Sequence, residues 1–377
     1  RWMPLAAASL PDHAAATILD RLEQAKRPLI VTSYAGRNKD AVPEIVALAE
    51  TLGIGVLESV PSAMNFPADH PLYQGNQWND PRQNEALAEA DCILVIDSDV
   101  PWIPTVSRPD PAAAIFHIDV DPLKEQMPLW HIDAQLSIRA DAGTALKQLN
   151  DALESRPLDQ RAVEERTAHY VAKSRARLAA LEAREAKSAG IITPEYLVAC
   201  VRRHVDAETI VLNEGITNYG VVCDHIRMAR PGSIFASGGG SLGWNGGAAI
   251  GAKLAAPDKT IVALTGDGSY LFSQPSSVHW IARKYKTPFL QIVFNNHGWK
   301  APRFSALAVH PDGYASRAND LDLSFDPPPD YSAIAAAAGG AHARKVERPE
   351  EVEEAVAAAF DVVRKEGRAA VLDVWVN

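Results

Sequence analysis

The chain has 377 residues, 47% of them hydrophobic, with a mean hydropathy of −0.11; this leaves room for about two ordinary domains and excludes a fibrous or disordered chain. Its 47 acidic residues outnumber 37 basic ones, for a formal charge of −10, which excludes a broad nucleic-acid face because most of the surface would repel phosphate. No apolar run approaches the roughly 18 residues that span a bilayer, and three scattered cysteines, Cys92, Cys200 and Cys223, exclude a disulfide framework or a zinc site and read as reduced core residues of a cytoplasmic protein.

The start, Arg1-Trp2-Met3-Pro4, is neither a signal peptide nor an initiator methionine and reads as a processed or truncated end. Beyond it, residues 28–32, 91–97 and 114–120 are short apolar runs with strand character, and residues 42–52 between the first two have helical periodicity. Alternating strands and helices predict a parallel sheet. Gly36, Arg37 and Asn38 after the first strand form a candidate phosphate-facing turn, with a plain turn as the preferred reading. From about residue 151 to 187 the chain is rich in Glu, Arg, Ala and Leu and lacks glycine, which predicts an exposed connecting helix with a solvated charged face.

Thr193 and Pro194 carry a helix-start signature, the threonine as N-cap and the proline at the first helical position. Strands are predicted at 209–213, 233–236, 260–265, 289–294 and 369–374, and the Pro-, Asp- and Ser-containing stretch that ends near residue 329 reads as a long lid-like loop. Glu214, after the first of these strands, is read as an exposed loop carboxylate.

Two motifs stand at strand ends in this half: Gly266-Asp267-Gly268 closes the run 260–265, and Asn295-Asn296 closes the run 289–294. Parallel strands joined by a crossover helix bring their carboxyl ends side by side, where α/β sheets bind ligands. Asp267 offers a carboxylate, Asn296 an amide oxygen, Gly298 a backbone carbonyl, and Gly268 and Ser269 backbone N–H groups. That donor set suits a magnesium diphosphate, with Asp267, Asn296 and Gly298 as metal ligands. A turn followed by a strand terminator is the plain alternative. Gly238, Gly240 and Gly243 also fit the spacing of a dinucleotide fingerprint, which opens a second class, a nicotinamide- or flavin-dependent oxidoreductase.

The paired motifs, reading GDGSYLFSQPSSVHWIARKYKTPFLQIVFNN, resemble the cofactor signature of thiamine diphosphate-dependent enzymes of the acetolactate synthase, benzoylformate decarboxylase and benzaldehyde lyase type. The segment GGGSLGWNGGAAIGAK is similar to another of that family's segments, and His117 to Pro122, reading HIDVDP, resembles its central domain. The resemblance implies two doubly wound parallel-sheet α/β domains, a Rossmann-like central one at 1–155 and a diphosphate-binding one at 191–377, joined by a helical segment at 156–190. It implies thiamine diphosphate and magnesium as cofactors, with Gly215, Thr217, Ser241, Leu242, Gly266, Asp267, Gly268, Ser269, Asn296 and Gly298 as cofactor-binding residues. Leu242 takes the place of the bulky residue that holds the cofactor bent.

Where relatives carry Gln-His this chain has Ile216-Thr217, and Asn245-Gly246-Gly247 stands where they carry a proline. His297 is the candidate catalytic side chain, and Trp244, Trp299 and Phe304 are candidate apolar walls. Some members bind FAD or the ADP portion of coenzyme A in the central domain and others bind nothing there. The family's activating glutamate belongs to an N-terminal pyrimidine-binding domain that does not precede these two domains here. The resemblance therefore implies a C-terminal portion of a longer enzyme, or one subunit of a split enzyme, forming a homo- or hetero-oligomer and acting on a 2-keto acid or acyloin. A catalytically silent nucleotide-binding module is the third reading.

Overall fold

Branched apolar runs become strands buried on both faces, as parallel sheets require. The computed structural model describes residues 6–78, 82–127, 132–237, 239–318 and 321–376; Arg1 to Pro4 and Gly238, which entered the sequence reading, lie outside them. The chain divides into two units, Arg1–Ala180 with Arg227–Gly232, and Leu181–Ile226 with Ser233–Asn377. No helix among the described residues is long and apolar enough to cross a membrane.

The first unit contains strands β1 (Pro28–Thr32), β2 (Gly55–Ser59), β3 (Tyr73–Gln77), β4 (Cys92–Ile96), β5 (Ala114–Asp119) and β6 (Leu136–Arg139), and helices α1 (Asp12–Gln24), α2 (Ala41–Leu52), α3 (Glu85–Glu89), α4 (Ala142–Leu153) and α5 (Gln160–Arg184). All strand pairs are parallel and the order is β3-β2-β1-β4-β5-β6. The order turns back between β1 and β4, where doubly wound sheets open a crevice. β2 and β3 escape an apolar-run search because they carry polar residues inward: Glu58 is buried, accepting from Tyr73 Oη at 2.7 Å and from Asn65 Nδ2 at 2.9 Å. β6 is short and half exposed.

Helix α5 corrects the expectation of a purely solvated connector. Tyr170 on it is fully buried and donates to the Pro28 carbonyl at 2.8 Å. Arg166, also buried, donates through Nη1 to the carbonyls of Leu22, Glu23 and Ala25 at 3.1, 3.2 and 3.1 Å. A guanidinium there satisfies orphan carbonyls at the end of α1.

The second unit contains strands β7 (Thr209–Glu214), β8 (Ile234–Ala236), β9 (Thr260–Gly266), β10 (Leu290–Asn295), β11 (His342–Val346) and β12 (Ala370–Trp375). Its helices are α6 (Pro194–Arg202), α7 (Tyr219–Ile226), α8 (Trp244–Ala255), α9 (Asp267–Phe272), α10 (Pro275–Tyr285), α11 (Lys300–Val309), α12 (Tyr314–Ala318), α13 (Tyr331–Gly339) and α14 (Val352–Asp361). The sheet is again all parallel, in the order β11-β12-β10-β9-β7-β8. Thr193 caps α6, its Oγ1 accepting the Tyr196 N–H at 3.2 Å. The stretch expected as one long loop instead holds α11 and α12.

Candidate cofactor site

β9 runs without a loop into α9, with Gly266 extended and Asp267 the first helical residue. Its neighbour β10 pairs Phe294 with Gly266, so Asn295 and Asn296 emerge just beyond that level. The Asp267 side chain joins the two: Oδ1 accepts the Gly268 N–H at 2.8 Å, and Oδ2 accepts the N–H groups of Gly298 at 3.0 Å and Asn296 at 3.2 Å. Burial pushes this carboxyl above the usual carboxylate range while those backbone donors pull it down. A cation in front of it would favour the charged form.

The two asparagines have different tasks. Asn295 is structural: its Nδ2 donates to Asp373 Oδ1 at 2.9 Å and its Oδ1 accepts the His297 N–H at 3.1 Å. Asn296 Oδ1 is buried without a partner, and so is Ser269 Oγ. An orphaned buried oxygen costs about 1–3 kcal/mol unless a ligand takes it up, so these atoms mark where something binds.

Both residues line a solvent-open cleft. Gly215, Ile216 and Thr217 follow β7 on one side of it, Leu242 precedes α8, and Gly298 to Pro302 form the wall beyond β10. The cleft thus lies at the carboxyl ends of adjacent strands β7, β9 and β10. It gathers Gly215, Thr217, Leu242, Gly266, Asp267, Gly268, Ser269, Asn296 and Gly298 from the residues expected in sequence. Ser241 is exposed and not among its lining. His297 also stands aside, its ring edge-on to Trp375 with centroids 4.3 Å apart.

The Gly268 N–H is not free for a ligand, as the sequence reading had it, because Asp267 Oδ1 takes it. The glycine has another cause: an added Cβ would lie 2.2 Å from the Trp299 ring. That indole is held edge-on by Phe272 at 5.4 Å and Phe325 at 5.0 Å. Ile216, at φ 50, is a β-branched residue in left-handed backbone, a strain found at functional loops.

Glu214 corrects the expectation of an exposed loop carboxylate. It is fully buried at the end of β7 and accepts the N–H groups of Gly243 at 2.6 Å, Trp244 at 3.2 Å and Asn245 at 2.7 Å. Burial raises its pKa and the three donors lower it. The dinucleotide reading needs the start of α8 for a pyrophosphate, and Glu214 already fills that place. Sequence reading missed this cap, and the signal was present: Gly243 opens α8 with no side chain to cap it.

The donor set fits magnesium, a hard cation that takes one or two protein oxygens and completes its shell with phosphate and water. Asp267 and Asn296 provide such oxygens. The Gly298 carbonyl accepts the Lys300 N–H at 3.0 Å and keeps a second lone pair.

Among its described residues the first unit offers no comparable cradle for FAD or an ADP moiety. The Gly36 N–H donates to Asn65 Oδ1 at 2.8 Å, and an added Cβ there would lie 1.9 Å from the Met64 carbonyl oxygen, so the turn is packed inward. At the ends of β1, β4 and β5, Lys124 Nζ binds Asp99 and Asp119 at 2.8 Å each, and Tyr34 Oη donates to the same two carboxylates at 2.8 Å. Burial and nearby Asp119 push Asp97 up to about 7, and burial pushes His117 down to about 4. A crevice with Asp97, Asp99 and Asp119 gathered at these strand ends repels phosphate rather than holding it.

Two doubly wound units, one with metal-type oxygens at adjacent strand ends, define a cofactor-binding α/β protein. Comparison with known proteins makes this particular: the thiamine pyrophosphate enzyme central domain matches residues 15–149, and the thiamine pyrophosphate enzyme C-terminal TPP-binding domain matches residues 215–374. The chain belongs to the thiamine pyrophosphate enzyme family. It is 26% identical to the sulfoacetaldehyde acetyltransferase of Rhodobacter capsulatus over 89% of this chain and 59% of that protein. It is 24% identical to the acetolactate synthase large subunit of Haemophilus influenzae over 92% of this chain and 59% of that protein. The fold matches the thiamine diphosphate-dependent 4-hydroxybenzoylformate decarboxylase of Rhodococcus jostii RHA1 with a TM-score of 0.76 at 22% identity, covering 100% of this chain and 66% of that one. The chain thus spans about three fifths of the length of these curated relatives.

Proposed function

We propose that this chain provides the diphosphate- and magnesium-binding half of an enzyme that makes or breaks a carbon–carbon bond beside a carbonyl, on a 2-keto acid or acyloin-type substrate. The observation that carries the reading is the pair of unpartnered buried oxygens, Asn296 Oδ1 and Ser269 Oγ, beside a backbone-fixed Asp267. When bound, thiamine diphosphate supplies a nucleophilic carbon and an electron sink.

The chain's own residues hold and orient. Asp267, Asn296 and the Gly298 carbonyl would hold the metal, Ser269 and the turn after β7 would contact phosphate, and Leu242 would pack against the ring portion. Trp299 and Ile216 narrow the cleft and limit water. Among the described residues lining the cleft Asp267 is the only acid, and backbone N–H groups hold both its oxygens; the activating glutamate would come from a pyrimidine-binding domain, on the same polypeptide or a companion, within a cytoplasmic homo- or hetero-oligomer. The acetyltransferase and synthase relatives support carbonyl-adjacent chemistry, acetolactate synthase-like in type.

Calorimetric titration of magnesium and thiamine diphosphate into wild type and Asp267→Ala tests the reading. Magnesium-dependent binding by wild type, lost in the variant, is expected. Equal behaviour of the two proteins would sink it.

A further inference from the structure

The first turn of α11 carries a charge that the helix itself disfavours. Its N-cap, Trp299, makes no side-chain cap, no acid lies in the turn, and the first helical residue is Lys300. A helix N-terminus bears partial positive charge, so a cation there is unfavourable by about 0.3–1 kcal/mol. Among the described residues no carboxylate offsets Lys300. Local rules are broken in this way where function requires it.

The amides of the turn point to the same place. The Lys300 N–H returns to the Gly298 carbonyl at 3.0 Å and the Arg303 N–H to the Trp299 carbonyl at 3.2 Å, while Pro302 has none. The Ala301 N–H is left as one of the orphan donors of a helix start. Lys300, Ala301 and Pro302 line the cleft that also contains Ser269 and Asn296. Ser269 is 2% exposed, and its Oγ has no partner. It marks a ligand independently of the helix.

We infer that Lys300, with the Ala301 N–H beside it, is a phosphate-binding group of this site. Its ammonium would neutralise part of the diphosphate charge at the cleft wall formed by Gly298 to Pro302. The charge balance favours this: a magnesium ion brings two positive charges, Asp267 takes one back, and the diphosphate is left under-compensated without a further cation. The anion in turn relieves the repulsion between Lys300 and its own helix. The inference rests on the cofactor reading above and adds to it a residue outside both the Gly-Asp-Gly and the Asn-Asn motifs.

The test uses magnesium pyrophosphate, which needs only this half of the cofactor site, and magnesium thiamine diphosphate, titrated into the full chain as wild type, Lys300→Met and Lys300→Arg. A charge-assisted bond to phosphate corresponds to about 10–100-fold in affinity. Lys300→Met is expected to lose that much for both probes and to show a shallower salt dependence, while Lys300→Arg stays near wild type. The thermal midpoint of Lys300→Met without ligand is expected to hold or rise, since a cation leaves the helix start. Wild-type affinity and salt dependence in Lys300→Met would overturn the inference. Failure of wild type itself to bind either probe would remove the cofactor reading and this inference with it, an outcome visible before any Lys300 variant is examined.

Discussion

Changing Gly268 to alanine separates two explanations for the glycine of the motif, access for phosphate or room for Trp299. Gly268 lies inside α9, so on helix propensity alone alanine would stabilise by about 1 kcal/mol. The added Cβ, however, would lie 2.2, 2.6 and 2.7 Å from three ring carbons of Trp299. Phe272 and Phe325 both pack edge-on against that ring. It cannot swing away freely, and overpacking of this kind costs about 1–3 kcal/mol. In the Trp299→Leu background the clash is gone and the sign should reverse. The assay is a double-mutant cycle on unfolding midpoints of wild type, Gly268→Ala, Trp299→Leu and the pair. Gly268→Ala alone is expected to lower the midpoint by about 2–12 °C, taking about 2–4 °C per kcal/mol for a unit of this size. The same change should be neutral or stabilising once the indole has been replaced by the smaller leucine side chain. Additive effects, with alanine equally harmful in both backgrounds, would refute the reasoning.

Asn296→Ala should leave the unfolding midpoint almost unchanged, because Asn296 Oδ1 has no protein partner, yet weaken magnesium thiamine diphosphate about tenfold or more in calorimetry. Asn295→Ala should do the reverse, lowering the midpoint by freeing Asp373 and the His297 N–H. Glu214→Ala should be more destabilising than Glu214→Gln, by about 1–3 kcal/mol in denaturant titration, because it strands three N–H groups at the start of α8 while glutamine keeps one acceptor. Asp97 has its pKa raised in the fold from 3.8 to about 7. The protonated form is favoured there, so its contribution is fully present below pH 3.8 and lost as pH rises through about 7. Asp97→Asn should therefore become progressively more stable than wild type between those values, and an unchanged difference across that range in pH-dependent denaturation would contradict the assignment.

The apolar strands were legible because burial on both faces leaves a continuous run such as Cys92–Ile96. β3, reading YQGNQ, was not, since partners for its polar groups come only from the fold, as with Gln74 donating to the Tyr170 carbonyl at 3.2 Å and Gln77 Nε2 to the Pro101 carbonyl at 2.6 Å. The Asn-Asn pair announced a site and its resemblance singled out Asn296, which lines the cleft, whereas the structural task of Asn295 depends on Asp373, distant in sequence. Arg166 and Tyr170 looked like members of a charged, solvated helix because their acceptors are carbonyls at residues 22–28, with no sequence signature. His297 was chosen for its chemistry and its adjacency to the motif; a left-handed backbone, φ 63, accompanies its turn toward Trp375.

The bonds from Gly298 and Asn296 to Asp267 have a thermodynamic consequence for timing. A single carboxylate at the end of β9 clips the loop after β10. The ordering entropy of that loop is therefore spent when the chain folds, and the arriving cofactor meets a site that is already rigid on this wall. Hydrogen exchange should therefore show protection of the Gly298 amide in the protein without added cofactor, because its bond to Asp267 Oδ2 belongs to the fold.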